Sequence, residues 1–451
     1  MKTPERDALR TASRTLCAHL ANAKFDDLPA NAVHEARRGL LDWLGCALAG
    51  SRHPTIDKLV DVLREVSGST RATVLGRRLR LGLLDAPLAN GQMGHVLDFD
   101  DTHMGGVVLH TSSPVLAALL AIAERRPTPG KDLIAAYAVG FEAGVRCGQA
   151  APAHHAGGWH LTGTLGSTAA GVAAGHLFGL DEEQLTYAMG IATTQAAGMQ
   201  QNRGTMCKSF HAGKAASSGV LAALLAQRGF DSSPEIIEGK RGFCRIYSSV
   251  AAPEKLTSGL GENWEIARNG HKPYACGVVL HPLIDALVNI RSAGAIDPAA
   301  VKTIELRVHP HVLSVTGVVE PATGLQSKFS VYHSAAVALI DGAAGIAQYS
   351  DQRALDATVT ALRRKVTAVA DESFRTDQAW ARVVIGGTAH EASMDHASGT
   401  VDNPMSDAAI EAKFLANAEP AIGLDNARRL AEGVWKLDMA ADVRPLIALA
   451  A

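Results

Sequence analysis

Residues Gly166–Phe178 read GSTAAGVAAGHLF, and the fold class follows from them. Gly, Ala, Ser and Thr dominate the stretch. A helix with so little bulk lets its neighbours approach closely, which places it at the centre of a helical bundle. The flanking sequence reads the same way. Val33, Ala36, Arg37, Leu40, Leu41, Leu44, Ala47 and Leu48 fall on one helical face, and the run stops at Gly50. Pro114 is expected at the first position of a further helix, with Ser113 as its cap. Lys131–Cys147 forms another, and Asp181 with Gln184 makes a capping box for the next. Lys214–Arg228 continues the pattern to a stop at Gly229.

The character changes after about residue 270. Val301–His309 (VKTIELRVH) alternates, with Ile304, Leu306 and Val308 on one face, as a half-buried strand does. Val366–Val369 and Ala381–Ile385 are further strand candidates, and Tyr332–Ile340 and Asp356–Arg364 look helical between them. Helical patterning returns from Ser406, through SDAAIEAKFLANA and Leu424–Trp435. The expected fold class is mainly α. A large all-helical domain is built from both chain ends (1–268 and 405–451), with a smaller α+β domain (269–404) inserted.

Composition narrows the function. The chain has 451 residues, enough for two or three domains at about 150 residues each. Lys plus Arg is 43 against 45 for Asp plus Glu, a net charge of -2, so no basic excess serves nucleic acid. Aromatic residues are only 5%, too few for a base-stacking platform. The apolar run Val115–Ala123 is far shorter than the roughly 20 residues of a membrane span. The N-terminal MKTPERDALR lacks a signal peptide's apolar core. Six scattered cysteines form no CxxC pair and suit a reducing compartment. A cytoplasmic protein that binds neither nucleic acid nor membrane is the expectation. No GxGxxG opening a helix, Walker A lysine or GxSxG elbow occurs.

Four polar clusters could carry chemistry. The densest, Gly94–Pro114 (GHVLDFDDTHMGGVVLHTSSP), holds His95, Asp98, Asp100, Asp101, Thr102, His103 and His110. Asp and His there could ligate a metal, transfer protons, or cap helices and turns. His154, His155 and His160 form the second cluster, with His160 just ahead of a helix start that would attract an anion. The third is Arg203–Lys214 with Lys208 and His211, and the fourth Gly270–Cys276 with Lys272. For each lone His or Lys the plain alternative is a satisfied core histidine or a solvated surface lysine.

These segments carry a resemblance. LDFDDTH (97–103), WHLTGTLGS (159–167), CKSFHAGKAA (207–216), HKPYACGVVLHP (271–282), TGLQSKFSVY (323–332) and DNPMSD (402–407) resemble, in order and spacing, the MmgE/PrpD family. That family includes 2-methylcitrate dehydratase, cis-aconitate decarboxylase and iminodisuccinate epimerase. The resemblance implies a helical domain with an α+β lid, a homodimer, and catalysis without metal or organic cofactor. It places an active-site set on Asp98, Thr102, His110, His160, Lys208 and Lys272, in the cleft between the domains. Two departures stand out. His110-Thr111-Ser112 replaces His-Pro-Ser, and the lid stretch Leu313–Gly324 has no tyrosine.

The implied chemistry is proton transfer at carbon next to a carboxylate, where developing negative charge must be stabilised. Lys208 and Lys272 would hold carboxylates of a small di- or tricarboxylate. His110 and His160 would move the proton, their reference pKa being about 6.5. Asp98 and Thr102 would orient a histidine and a carboxylate, and Arg203 would help choose the substrate. Dehydration is the first expectation, decarboxylation the second and epimerisation of a dicarboxylate the rival. A non-catalytic binding protein on the same scaffold is the remaining alternative.

Overall fold

The computed structural model describes residues 11–451 apart from Ala293 and Ala295. The architecture is mainly helical with a smaller α+β part, as the sequence implies. Helix Leu161–Phe178 is buried along nearly its whole length. It packs against helices Ser112–Ala123, Gly130–Ala150, Glu182–Thr193 and Met206–Ala226. Close approach depends on missing side chains. A Cβ at Gly219 would sit 2.5 Å from the backbone carbon of Ala170. Helix Asp85–Val96 crosses helix Met206–Ala226 equally closely. There a Cβ at Gly213 would lie 2.0 Å from the Leu88 carbonyl oxygen, and one at Gly91 would lie 2.9 Å from the Gly213 Cα.

Helix boundaries differ from expectation at informative places. The helix at Pro114 begins at Ser112, with Thr111 at its cap position and no side-chain cap bond. Ser113 does not cap it, because its hydroxyl donates to the Asp100 carboxylate at 2.8 Å. The helix expected from Lys214 starts at Met206, so Lys208 lies in its first turn. The Asp181–Gln184 capping box forms as expected.

The α+β part holds a four-stranded sheet in the order Val366–Ala370, Val301–Val308, Ala379–Ile385, Thr388–Met394. The first pair is parallel and the other two antiparallel, with Leu306 opposite both Ala368 and Ala381. Ile304, Leu306 and Val308 are buried, as their alternation requires. Helices His281–Ser292 and Val331–Asp341 pack on the sheet and on each other. The last helices return to the first. Asp407–Ile422 packs along Ala30–Gly50, where Gly45 meets Phe414, and its N-terminus is capped by the Ser406 hydroxyl. Among the described residues no helix is long and apolar enough to cross a membrane. Five cysteines are buried and Cys207 is exposed.

Candidate active site

Asp98 follows helix Asp85–Val96 and adopts φ +51°, the left-handed conformation that a short polar side chain tolerates. Its carboxylate lies between two ammonium groups. Lys208 Nζ donates to Oδ2 at 2.7 Å, and Lys272 Nζ donates to Oδ1 at 2.6 Å and to the Asp98 carbonyl at 3.1 Å. The fold sets both distances. The Gly91–Gly213 crossing brings the end of one helix to the start of the other. Lys272 follows Asn269–Gly270, a short strand paired with Thr102–His103.

The three charges are nearly dry, and Lys272 is only 1% exposed. Burial alone would raise the Asp98 carboxyl, but Lys208 and Lys272 overrule it and hold it well below the usual carboxylate range. Burial moves Lys208 below an ordinary lysine, against the pull of Asp98. Lys272 moves upward instead, because Asp98 and Asp100 outweigh its burial. Lys208 is therefore the readier proton donor of the two.

The histidines lie beside this triad. His110 Nδ1 is 2.8 Å from the Asp101 carbonyl oxygen and 3.0 Å from Thr102 Oγ1. A carbonyl only accepts, so Nδ1 carries the proton and Nε2 of the neutral ring holds the lone pair. Burial, then Lys272, holds His110 well below the ordinary histidine range. His95 packs on His110 and on His160, with ring centroids 4.7 Å and 5.4 Å apart. Its Nδ1 donates to Asp100 at 2.9 Å, and its buried Nε2 has no hydrogen-bond partner. His160, at the cap position of helix Leu161–Phe178, meets His211 with Nδ1 atoms 2.9 Å apart. One ring must donate and the other accept, so the pair shares a proton. Burial, then Lys208, holds His160 well below the ordinary range.

His95, Asp100 and His110 also satisfy the distance requirement for a cation site, with potential ligand atoms within 4.8 Å of one another. Hydrogen bonds engage Asp100 and the Nδ1 atoms of both rings, and both Nε2 atoms have no hydrogen-bond partner among the described residues. Asp100 accepts from His95 and Ser113, and the His110 Nδ1 proton faces a carbonyl.

A third lysine supports the centre from behind. Lys328 is 3% exposed, and Nζ donates to the carbonyls of Leu97 at 2.7 Å and Ala275 at 2.6 Å. It ties the residue before Asp98 to the segment carrying Lys272. Burial pushes its pKa down to about 8.

Asp98, His110, His160, Lys208 and Lys272 all line one cavity of about 620 Å³, together with Arg203. That volume is within the range of small-molecule sites, about 300–1,000 Å³. Thr102 is wholly buried and reaches the cavity only through His110. Asp98 orients no histidine. Its carboxylate is taken by the lysines, and Asp100 and the Asp101 carbonyl hold the rings. Sequence places His211 in the third polar cluster without a role, and does not single out Lys328 as a site residue. Lys328 sits inside the KFS segment, and a lysine there with no acidic neighbour in sequence was the available signal.

The chain is similar to known proteins over nearly its whole length. The MmgE/PrpD N-terminal domain matches residues 14–255, and the MmgE/PrpD C-terminal domain matches residues 274–439. A cis-aconitate decarboxylase of Aspergillus terreus is 29% identical, over 96% of this chain and 94% of its own. The cis-aconitate decarboxylase of Homo sapiens is 27% identical over 98% and 95%. The 2-methylcitrate dehydratase of Cupriavidus necator is 24% identical over 77% and 75%.

Proposed function

The chain belongs to the MmgE/PrpD family and is an enzyme of lyase type, and on that premise we propose that it decarboxylates a small unsaturated tricarboxylate of the cis-aconitate kind. The observation that carries the reading is the Lys208–Asp98–Lys272 triad on a cavity wall shared with His110 and His160. Sequence alone placed dehydration first. Decarboxylation now comes first, because the relatives that match the chain over almost its full length are named for it.

The step balances as an allylic decarboxylation. The bond from the methylene carbon to its carboxylate breaks, and CO2 leaves. The released pair forms a new alkene to the central carbon. The former alkene pair takes a proton at the far carbon. Lys208 and Lys272 hold the remaining carboxylates and stabilise the charge as it spreads. Each ammonium retains donors not used by Asp98, and Lys208 bonds to no second protein acceptor among the described residues. The proton comes from Lys208, or from a histidine that gains charge when the polyanion enters. In dehydration, the second reading, His110 Nε2 removes a proton next to a carboxylate while a cationic neighbour protonates the departing hydroxyl. The named 2-methylcitrate dehydratases favour that alternative.

NMR in D2O with cis-aconitate and 2-methylcitrate tests the reading. From cis-aconitate, CO2 release is expected together with a product that has a new unlabelled terminal alkene and one deuterium on its saturated carbon. Water loss from 2-methylcitrate alone makes the enzyme a dehydratase. Exchange or inversion at an α-carbon of a dicarboxylate, with no alkene or CO2, makes it an epimerase. No turnover and no thermal shift with any polycarboxylate overturns the enzyme reading of this cavity.

A further inference from the structure

Arg203 stands apart from the other charged groups on the cavity wall. Among the described residues no carboxylate pairs with it. The rim carboxylates are engaged elsewhere, since Asp377 meets Arg375 at 3.2 Å and His396 at 2.8 Å, and Asp402 lies 3.7 Å from His396. Two histidines accompany Arg203 on the wall. Its Nη2 is 3.5 Å from Nε2 of His155, and the His155 ring meets that of His311 edge-on at 6.1 Å. The three come from separate segments. His155 lies in the loop after helix Gly130–Ala150, Arg203 follows the turn Gln200–Asn202, and His311 opens helix Pro310–Thr316 in the α+β part.

Arg203 has donors only, so Nε2 of His155 accepts and the ring proton sits on Nδ1. That leaves His155 a free N–H. The His311 ring makes no hydrogen bond among the described residues, and only its backbone is used, the N–H toward His309 Nδ1 and the carbonyl by the Ser314 hydroxyl. The scaffold is held in place, with Gln200 Nε2 donating to the carbonyls of His155 at 2.6 Å and Trp159 at 3.0 Å. A guanidinium without a counterion, flanked by two rings with unused donors, is a receptor for a carboxylate.

We propose that Arg203, His155 and His311 form a second anion clamp, which takes a carboxylate that Lys208 and Lys272 do not hold and so selects tricarboxylates over dicarboxylates. The clamp rests on the polycarboxylate reading above. Burial and then Arg203 hold His155 at about 4, so it acts as a neutral donor and Arg203 supplies the charge. Asp98 is close enough for its charge to act on Arg203, which places the clamp and the lysine triad in one electrostatic field.

Calorimetric titration of tricarballylate and glutarate, both unreactive, tests the clamp. Wild type is expected to bind tricarballylate at least about tenfold more tightly, the effect of one charge-assisted contact. The variants Arg203→Gln and His155→Gln/His311→Gln should lose that preference while their glutarate affinity stays within about twofold. Unchanged glutarate binding shows that the lysine pair and the fold are intact. If the double variant loses it, His311→Gln alone carries the comparison. Variants that keep the wild-type preference overturn the clamp, as does a wild type that binds both acids equally. A wild type that binds neither overturns the polycarboxylate reading itself.

Discussion

The Nδ1 atom of His110 lies 2.8 Å from the carbonyl oxygen of Asp101, and this contact fixes which face of the imidazole can accept a proton. Thr102 Oγ1 reaches the same nitrogen at 3.0 Å. The ring is held by backbone as well as side chain, and the carbonyl alone fixes the tautomer, which therefore survives loss of the Thr102 hydroxyl.

His110→Gln is therefore expected to lower kcat by about 10²–10⁴-fold with the fold intact, as befits a proton carrier. Thr102→Val should cost far less, because the Asp101 carbonyl still orients the ring. Steady-state kinetics beside circular dichroism decides. Equal losses in the two variants would contradict the tautomer argument.

Asp98 neutralises two buried ammonium groups at once. Asp98→Asn keeps a residue that tolerates the left-handed backbone but removes the charge. Leaving buried charge uncompensated is expected to cost about 3–5 kcal/mol. A bound polyanion should partly replace the lost carboxylate. Tricarballylate is thus expected to raise the Tm of Asp98→Asn more than that of wild type. Thermal shift at matched concentrations measures this, and an equal or smaller rise would count against the triad's electrostatic role.

The distance from Asp98 to Lys208 depends on two helices meeting without side chains between them. Gly213→Ala would drive a methyl group into the Leu88 carbonyl and force the helices apart. A stability loss of about 1–3 kcal/mol is expected from overpacking, together with a fall in kcat from a disturbed ion pair. Denaturant melts and kinetics test the two effects. A variant that loses stability but keeps full kcat would show that the crossing does not set the site.

Lys328 has a folded-state pKa of about 8 against an ordinary 10.5. The unfolded chain keeps its proton through that interval while the folded protein releases it, so this group's contribution to stability rises with pH from 8 to 10.5. Unfolding free energies of wild type and Lys328→Met should diverge in favour of wild type by up to about 3 kcal/mol across that window. A constant difference would refute the assignment. The variant should also lower kcat, because the Leu97 and Ala275 carbonyls lose their common donor.

The sequence made the helices legible where their apolar spacing was regular, and Leu424–Trp435 matches its expected limits. It misplaced ends where a side chain found a distant partner. Ser113 looked like a cap, but its hydroxyl is occupied by Asp100 inside the core. Strand Thr388–Met394 was not expected, because TAHEASM is an exposed edge strand without apolar alternation and its pairing comes from Ala379–Ile385. Lys208, Lys272, His110 and His160, which line the cavity, were legible from motifs. The His160–His211 contact and the Lys328 strut were not, since both exist only once separate segments pack.

The ion pair joining residues 98 and 272 spans 174 positions, and the Lys328 bond to Leu97 spans 231. Closing loops of that length is entropically costly and slow, so contacts of this kind are expected to form late in folding. No fragment ending before residue 272 can complete the centre, and its buried carboxylate would be left without one of its counterions. Competence for chemistry thus arrives only when the whole chain has come together, which makes recovery of activity after dilution from denaturant a stricter report of complete folding than recovery of helix.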